Sequence, residues 1–215
     1  MRIFIGLDPR QPVAAQVLAH SIWARASKPV SIIMLRLNQL PLKRVGLTQF
    51  TFSRYLVPLL CDFAGTALFM DADMLCLADI CELWKLADES PVSVVKNPNL
   101  RFEWPSLMFF RNELCKNLTL EFIENGNPQS LAWASKIGEF PAEWNHLVGY
   151  DKPRTDAKNV HFTQGIPCFP ETKHCEYWQA WQDEIRKANG SVPWADIMGD
   201  SIHAKRVLER LNDRS

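Results

Sequence analysis

Two aspartates one residue apart, Asp71 and Asp73, stand inside the apolar stretch ALFMDADMLCLADI of residues 67–80. The run 67–70 reads as the end of a short buried strand, so both carboxylates fall at its carboxyl end, the edge of an open α/β sheet where ligands bind. Side chains alternate along extended chain, so residues 71 and 73 point one way and Ala72 the other. Two hard oxygen donors converging on one point suit Mg²⁺ or Mn²⁺, which completes its shell with oxygens of a substrate phosphate. The apolar residues 74–77 return the chain to the core and would hold the carboxylates rigid. Aspartates also close strands through Asx turns, so a bare D-x-D leaves metal binding and turn formation equally open.

Carboxylates placed this way need a sheet behind them, and the chain supplies one. IFIGL (3–7) is a continuous apolar run ending at Asp8-Pro9, as a buried parallel strand ends. Residues 12–26 carry apolar positions at helical spacing with Pro12 in the first turn. VSIIML (30–35), TALFM (66–70), VSVV (92–95), SLMFF (106–110) and NVHFT (159–163) read as further strands. Residues 51–63 read as a helix that Pro58 kinks or divides. Residues 173–190 form a helix with Trp178, Trp181 and Ile185 on one face and a stop at Asn189-Gly190. A second amphipathic helix is expected over 200–214. Strands alternating with helices mean an α/β fold with a mostly parallel central sheet flanked by helices.

With 215 residues, 47% of them hydrophobic, the chain can build one sizeable core. Its 24 Lys and Arg balance 24 Asp and Glu, which argues against a broadly cationic nucleic-acid binder. The balance is uneven along the chain. Residues 1–60 hold eight Lys and Arg against the single acid Asp8, and residues 61–90 hold seven acids against Lys85. A basic region before an acidic one suits a metal held between carboxylates and a phosphate, although solvated surface charge explains the same counts. No run approaches the roughly 18 apolar residues of a membrane span, and the opening strand is too short for a signal peptide. The six cysteines contain no CxxC pair and read as reduced thiols of a cytoplasmic protein.

Two enzyme patterns use such a D-x-D. In the haloacid-dehalogenase pattern the first aspartate is a nucleophile after the first strand, whereas here two strands come before it. In nucleotide-sugar glycosyltransferases the motif lies in mid-chain after a nucleotide-binding half, as it does here. The chain resembles the GT-A glycosyltransferases, in particular the family-8 glycogenin and lipopolysaccharide galactosyltransferase type and its small bacterial and phage-type relatives. The resemblance runs through IFIGLDPRQPVAAQVLAHSI, FTFSRYLVPLL, LFMDADMLCLADI, WPSLMFFRN, GEFPAEWNHLVGYD and VHFTQGIPCF, nearly the whole chain.

What this resemblance implies is a single GT-A (Rossmann-like) domain over 1–215. Residues 1–100 would be the nucleotide-binding half, 101–170 the acceptor and donor-sugar half, and 171–215 the C-terminal helices. Asp71, Asp73 and His161 would hold Mn²⁺ or Mg²⁺. Asp8 would accept a hydrogen bond from uracil or simply cap the turn before Pro9. Arg54 would contact the donor's phosphate or sugar, and Gly165 would let backbone approach the pyrophosphate. The Asp-Gln pair of those enzymes is missing from SLAWASKIGEFPAEWN, so Glu139 first and Asn145 second stand as candidates for the polar group at the reacting carbon. The implied function is metal-dependent transfer of a hexose from a UDP-sugar to a hydroxyl acceptor, with retention. A saccharide or lipid-linked saccharide is the default acceptor. A modified base in phage-type DNA, and a sugar-nucleotide-binding protein without turnover, remain as alternatives.

Overall fold

The computed structural model describes residues 1–191 and 201–202; the helix expected over 200–214 lies almost wholly outside them. The element order is β1 (Arg2–Gly6), α1 (Pro12–Trp23), β2 (Ser31–Leu35), α2 (Val57–Leu60), β3 (Thr66–Asp71), β4 (Met74–Cys76), α3 (Cys81–Leu86), β5 (Val92–Val95), β6 (Leu107–Arg111), α4 (Leu120–Asn125), β7 (Ile137–Phe140), β8 (His146–Leu147), β9 (Asn159–His161) and α5 (Trp178–Ala188). Six strands form the central sheet in the order β2-β1-β3-β6-β5-β7, and β4-β9-β8 form a second, smaller one. β6 pairs antiparallel with both β3 and β5, while the other pairings in the large sheet are parallel. The sheet is therefore mostly parallel with one strand reversed.

The period-two alternation of these strands builds a core on each face. Leu68 and Met70 of β3 join Ile3, Ile5 and Phe109 on the side covered by α1 and α5. Ala67 and Phe69 join Phe4, Val94 and Phe110 on the side of α2 and α4. Fully burying each large side chain of this kind contributes about 1.5–3 kcal/mol, before the entropy of ordering it is subtracted. The alternation also aims the strand's last residue: Asp71 follows Phe69 onto the α2 face, where Arg54 waits.

Pro58 acts as its chemistry requires. The segment 53–60 is split into a 3-10 helix, Ser53–Leu56, and α2, with Pro58 in the first turn of α2, where the missing N–H costs nothing. At the other end of the chain Trp181 is fully buried and Asn189 caps α5, with Gly190 in the left-handed region at φ 65°.

α1 and α5 are clamped by Glu184, only 2% exposed, which pairs with the His20 imidazole and accepts from Arg25 Nη2 at 2.8 Å. Burial pushes the Glu184 carboxyl up, but the hydrogen bonds from Arg25 and His20 outweigh it and hold the group below its ordinary value. Glu184→Ala leaves the Arg25 guanidinium and the His20 imidazole without their shared partner and is expected to cost about 3 kcal/mol. That is a fall of about 6–12 °C in Tm for a chain of this size, measured by calorimetry. Because the folded value is lowered, this contribution is present above the unfolded carboxylate range near ~4.3 and is lost as pH falls through the folded value. The Tm difference between wild type and variant should therefore shrink in acid.

Candidate functional site

The two aspartates belong to different pieces of local structure. Asp71 is the last residue of β3, and Asp73 sits in the turn that reverses the chain into β4. His161 reaches them through pairing rather than sequence proximity. β9 runs antiparallel to β4 with His161 opposite Met74, and Phe162 N donates to Asp73 O at 2.9 Å. One ligand atom from each of Asp71, Asp73 and His161 lies within 4.8 Å of the other two. His161 Nε2 stands 3.2 Å from Asp73 Oδ1.

Arg54 is buried against the same group. Its Nη2 is 3.0 Å from Asp71 Oδ1, Nη1 donates to Pro105 O at 2.7 Å, and Nε donates to Phe50 O at 3.2 Å. The guanidinium is thus fixed by two carbonyls before it meets the carboxylate, and the side chain lines the cleft. Burial pushes the Asp71 carboxyl up to about 7, against the opposing pull of Arg54. Burial alone would lower His161, but the carboxylates of Asp73, Asp71 and Glu103 raise it to about 9.

The donors fit a hard divalent cation. Asp71 Oδ1 and Asp73 Oδ1 are buried and make no hydrogen bond, ion-pair contacts aside. Each has one charged neighbour, Arg54 Nη2 at 3.0 Å and His161 Nε2 at 3.2 Å, which leaves lone pairs for a cation. Two carboxylates with one imidazole suit Mn²⁺ or Mg²⁺ more than a sulfur-seeking metal. They open on a cleft of about 350 Å³ bounded by Thr48, Phe50, Tyr55, Gln129 and Thr163.

The other expected site residues fall in different places. Asp8 follows β1, and its carboxylate accepts from the Arg10 backbone N–H at 2.9 Å and from Arg10 Nη2 at 2.6 Å. This is the turn-capping geometry, closed by an arginine whose side chain is 70% exposed. Gly165 lies in the turn after β9 at φ 119°, and a Cβ there would stand 3.1 Å from the Phe169 ring. Glu139 is not brought to the cleft. Gly138 and Phe140 of β7 are buried, so Glu139 between them points outward, with its side chain 62% exposed and 3.6 Å from Lys96. Asn145 is buried outside the cleft and donates from Nδ2 to Ser106 Oγ at 2.9 Å.

Glu103 is the carboxylate that the sequence reading missed. It lines the cleft from a 3-10 helix, Arg101–Ser106, and its Oε2 is 3.8 Å from His161 Nδ1. Burial pushes its carboxyl up. The signal available was an acid set between Phe102 and Trp104-Pro105 immediately before a strand.

No family model matches the chain. Solved structures similar to it include the bifunctional glycosyltransferase WbbM, at TM-score 0.66 and 15% identity over 98% of this chain and 51% of that one. The galactosyltransferase LgtC, solved with donor and acceptor sugar analogues, matches at 0.60 and 10% identity over 90% and 98% of the two chains. The glycosyltransferase GlyE of Streptococcus pneumoniae TIGR4 matches at 0.60 and 15% identity over 86% and 60%. The chain therefore spans about half of WbbM's length and most of LgtC's. Its fold is that of the GT-A glycosyltransferases of the family-8 type. Protein CDI of Arabidopsis thaliana is 35% identical across 87% of this chain and 87% of its own length, and the chain belongs to the family of that protein. Among the described residues no helix is long and apolar enough to cross a membrane, and the six cysteines are free thiols.

Proposed function

We propose that the protein is a metal-dependent glycosyltransferase that moves a hexose from a UDP-sugar to a hydroxyl acceptor, with retention of anomeric configuration. The observation that carries this is the convergence of Asp71, Asp73 and His161 at the carboxyl end of β3 in a GT-A fold. When bound, Mn²⁺ or Mg²⁺ supplies a Lewis acid that offsets charge building on the departing diphosphate. The chain's own residues position and screen. Asp71 and Asp73 anchor the cation, His161 completes the protein donors, and Arg54 directs its free N–H groups at phosphate or sugar oxygens. Gly165 lets backbone come close to the pyrophosphate, and Asp8 reads the uracil once Arg10 swings aside. Glu139 and Asn145 stand outside the cleft, so any role of theirs at the reacting carbon requires movement of the 138–145 segment. The acceptor is a saccharide or a lipid-linked saccharide. Cytoplasmic localisation agrees with the free thiols.

A thermal-shift screen of UDP- and GDP-sugars with Mn²⁺ tests the donor. A ligand at a hundred times its Kd stabilises by about 2.7 kcal/mol, so UDP-sugars should raise Tm by about 5–10 °C. A rise with GDP-sugars alone would overturn the uridine assignment, and an equal rise in EDTA would overturn metal dependence. The absence of an Asp-Gln pair favours one rival, a sugar-nucleotide-binding protein without turnover. Donor hydrolysis separates the two.

A further inference from the structure

A neutral imidazole has one N–H and one lone pair. To bind a cation beside Asp71 and Asp73, His161 must present the lone pair of Nε2, the nitrogen that stands 3.2 Å from Asp73 Oδ1. Its proton then sits on Nδ1, which faces away from the donor set, is buried and makes no hydrogen bond. A buried N–H without an acceptor is costly, so this nitrogen requires one. Glu103 Oε2 lies 3.8 Å from it on a side chain that is 15% exposed. Closing to hydrogen-bond distance takes a shift of about 1 Å.

The backbone of Glu103 is tied in place for such a role. Its N–H donates to Leu100 O at 3.0 Å and its carbonyl accepts from Ser106 Oγ at 2.6 Å. The same Ser106 hydroxyl accepts from Asn145 Nδ2 at 2.9 Å. This chain of contacts ties the Asn145 amide to the backbone of Glu103. Glu103 does not itself join the donor cluster, which comprises Asp71, Asp73 and His161.

We propose that Glu103 is a positioning residue: it accepts the Nδ1–H of His161 and so fixes the imidazole with Nε2 turned toward Asp71 and Asp73. This rests on the metal-binding reading above. Outer carboxylates of this kind orient a ligating histidine and commonly govern metal affinity 10–100-fold.

Mn²⁺ binding to the full chain, measured by calorimetry and by the electron paramagnetic resonance of free Mn²⁺, tests it on wild type, Asp73→Asn, Glu103→Gln and Glu103→Leu, with Tm recorded for each. Glu103→Leu should weaken Mn²⁺ affinity about 10–100-fold. Glu103→Gln keeps an oxygen that accepts the Nδ1–H and should stay near wild type. Equal affinity in Glu103→Leu and wild type would overturn the proposal, and so would an equal loss in both Glu103 variants. If Glu103→Leu does not fold, long-range ¹H–¹⁵N spectra of Mg²⁺-loaded wild type and Glu103→Gln decide: a His161 Nδ1–H whose shift moves on Glu103→Gln supports the role, and an Nδ1–H unmoved by it, or a proton on Nε2, overturns it. Wild-type protein that binds Mn²⁺ no better than Asp73→Asn would instead overturn the metal reading itself.

Discussion

Asp73→Asn is expected to lower donor turnover by at least about 10³-fold, the equivalent of roughly 4 kcal/mol of lost charge stabilisation. The fold should be unaffected. Asp73 sits in the turn between β3 and β4, its carboxylate is 30% exposed, and its charged neighbour is the His161 imidazole rather than a guanidinium. Asparagine matches its shape and loses only the charge and one oxygen donor. The effect belongs in kcat/KM measured at fixed Mn²⁺, with Tm within about 2 °C of wild type as the control for folding. A variant that keeps turnover within tenfold would show that Asp73 is a turn residue and no more.

Arg54→Met is expected to act on stability as well as on the site. Arg54 and Asp71 are both nearly buried, at 10% and 11% side-chain exposure, and the guanidinium spans from Phe50 O and Pro105 O to the carboxylate. Removing one partner of a buried pair typically costs about 3–5 kcal/mol, because the other is left without compensation. Thermal denaturation should show a fall of about 6–20 °C. Adding Asp71→Asn to Arg54→Met should recover part of that loss, since the buried carboxyl that has lost its partner is gone, and the double-mutant cycle measures the coupling. Additive losses would mean that Arg54 acts through its packing on Phe69, whose ring lies 5.0 Å away, and its carbonyl contacts.

Much of the frame could be read from residue patterns. Apolar runs of four to six residues marked β1, β3, β5 and β6, which are buried on both faces, and β2, an edge strand whose apolar run is largely exposed. The reversal of β6 could not be read, since an apolar run looks the same in either direction. β4, β8 and β7 are too short, or too mixed in composition, to show a period. For β7 this had a consequence at the site: once IGEF is a strand with Gly138 and Phe140 turned inward, Glu139 is committed to the outer surface.

The site divided in the same way. Asp71 and Asp73 were visible because a strand end brings them together within three residues. His161 came from a resemblance, and what seats it is an antiparallel register between segments far apart in sequence. Glu103 was missed because a 3-10 helix has no strong period and its partner is nearly sixty residues away. Asp8 carried two readings, and the turn-capping one describes its present partner, Arg10.

Release of UDP from UDP-sugars by the purified full chain, followed in Mn²⁺ and again in EDTA, tests the central claim most directly. Turnover in Mn²⁺ that EDTA abolishes and added Mn²⁺ restores is the predicted result. Release at the same rate in EDTA, or none from any UDP-sugar with or without saccharide acceptors, would contradict a metal-dependent transferase built on Asp71, Asp73 and His161.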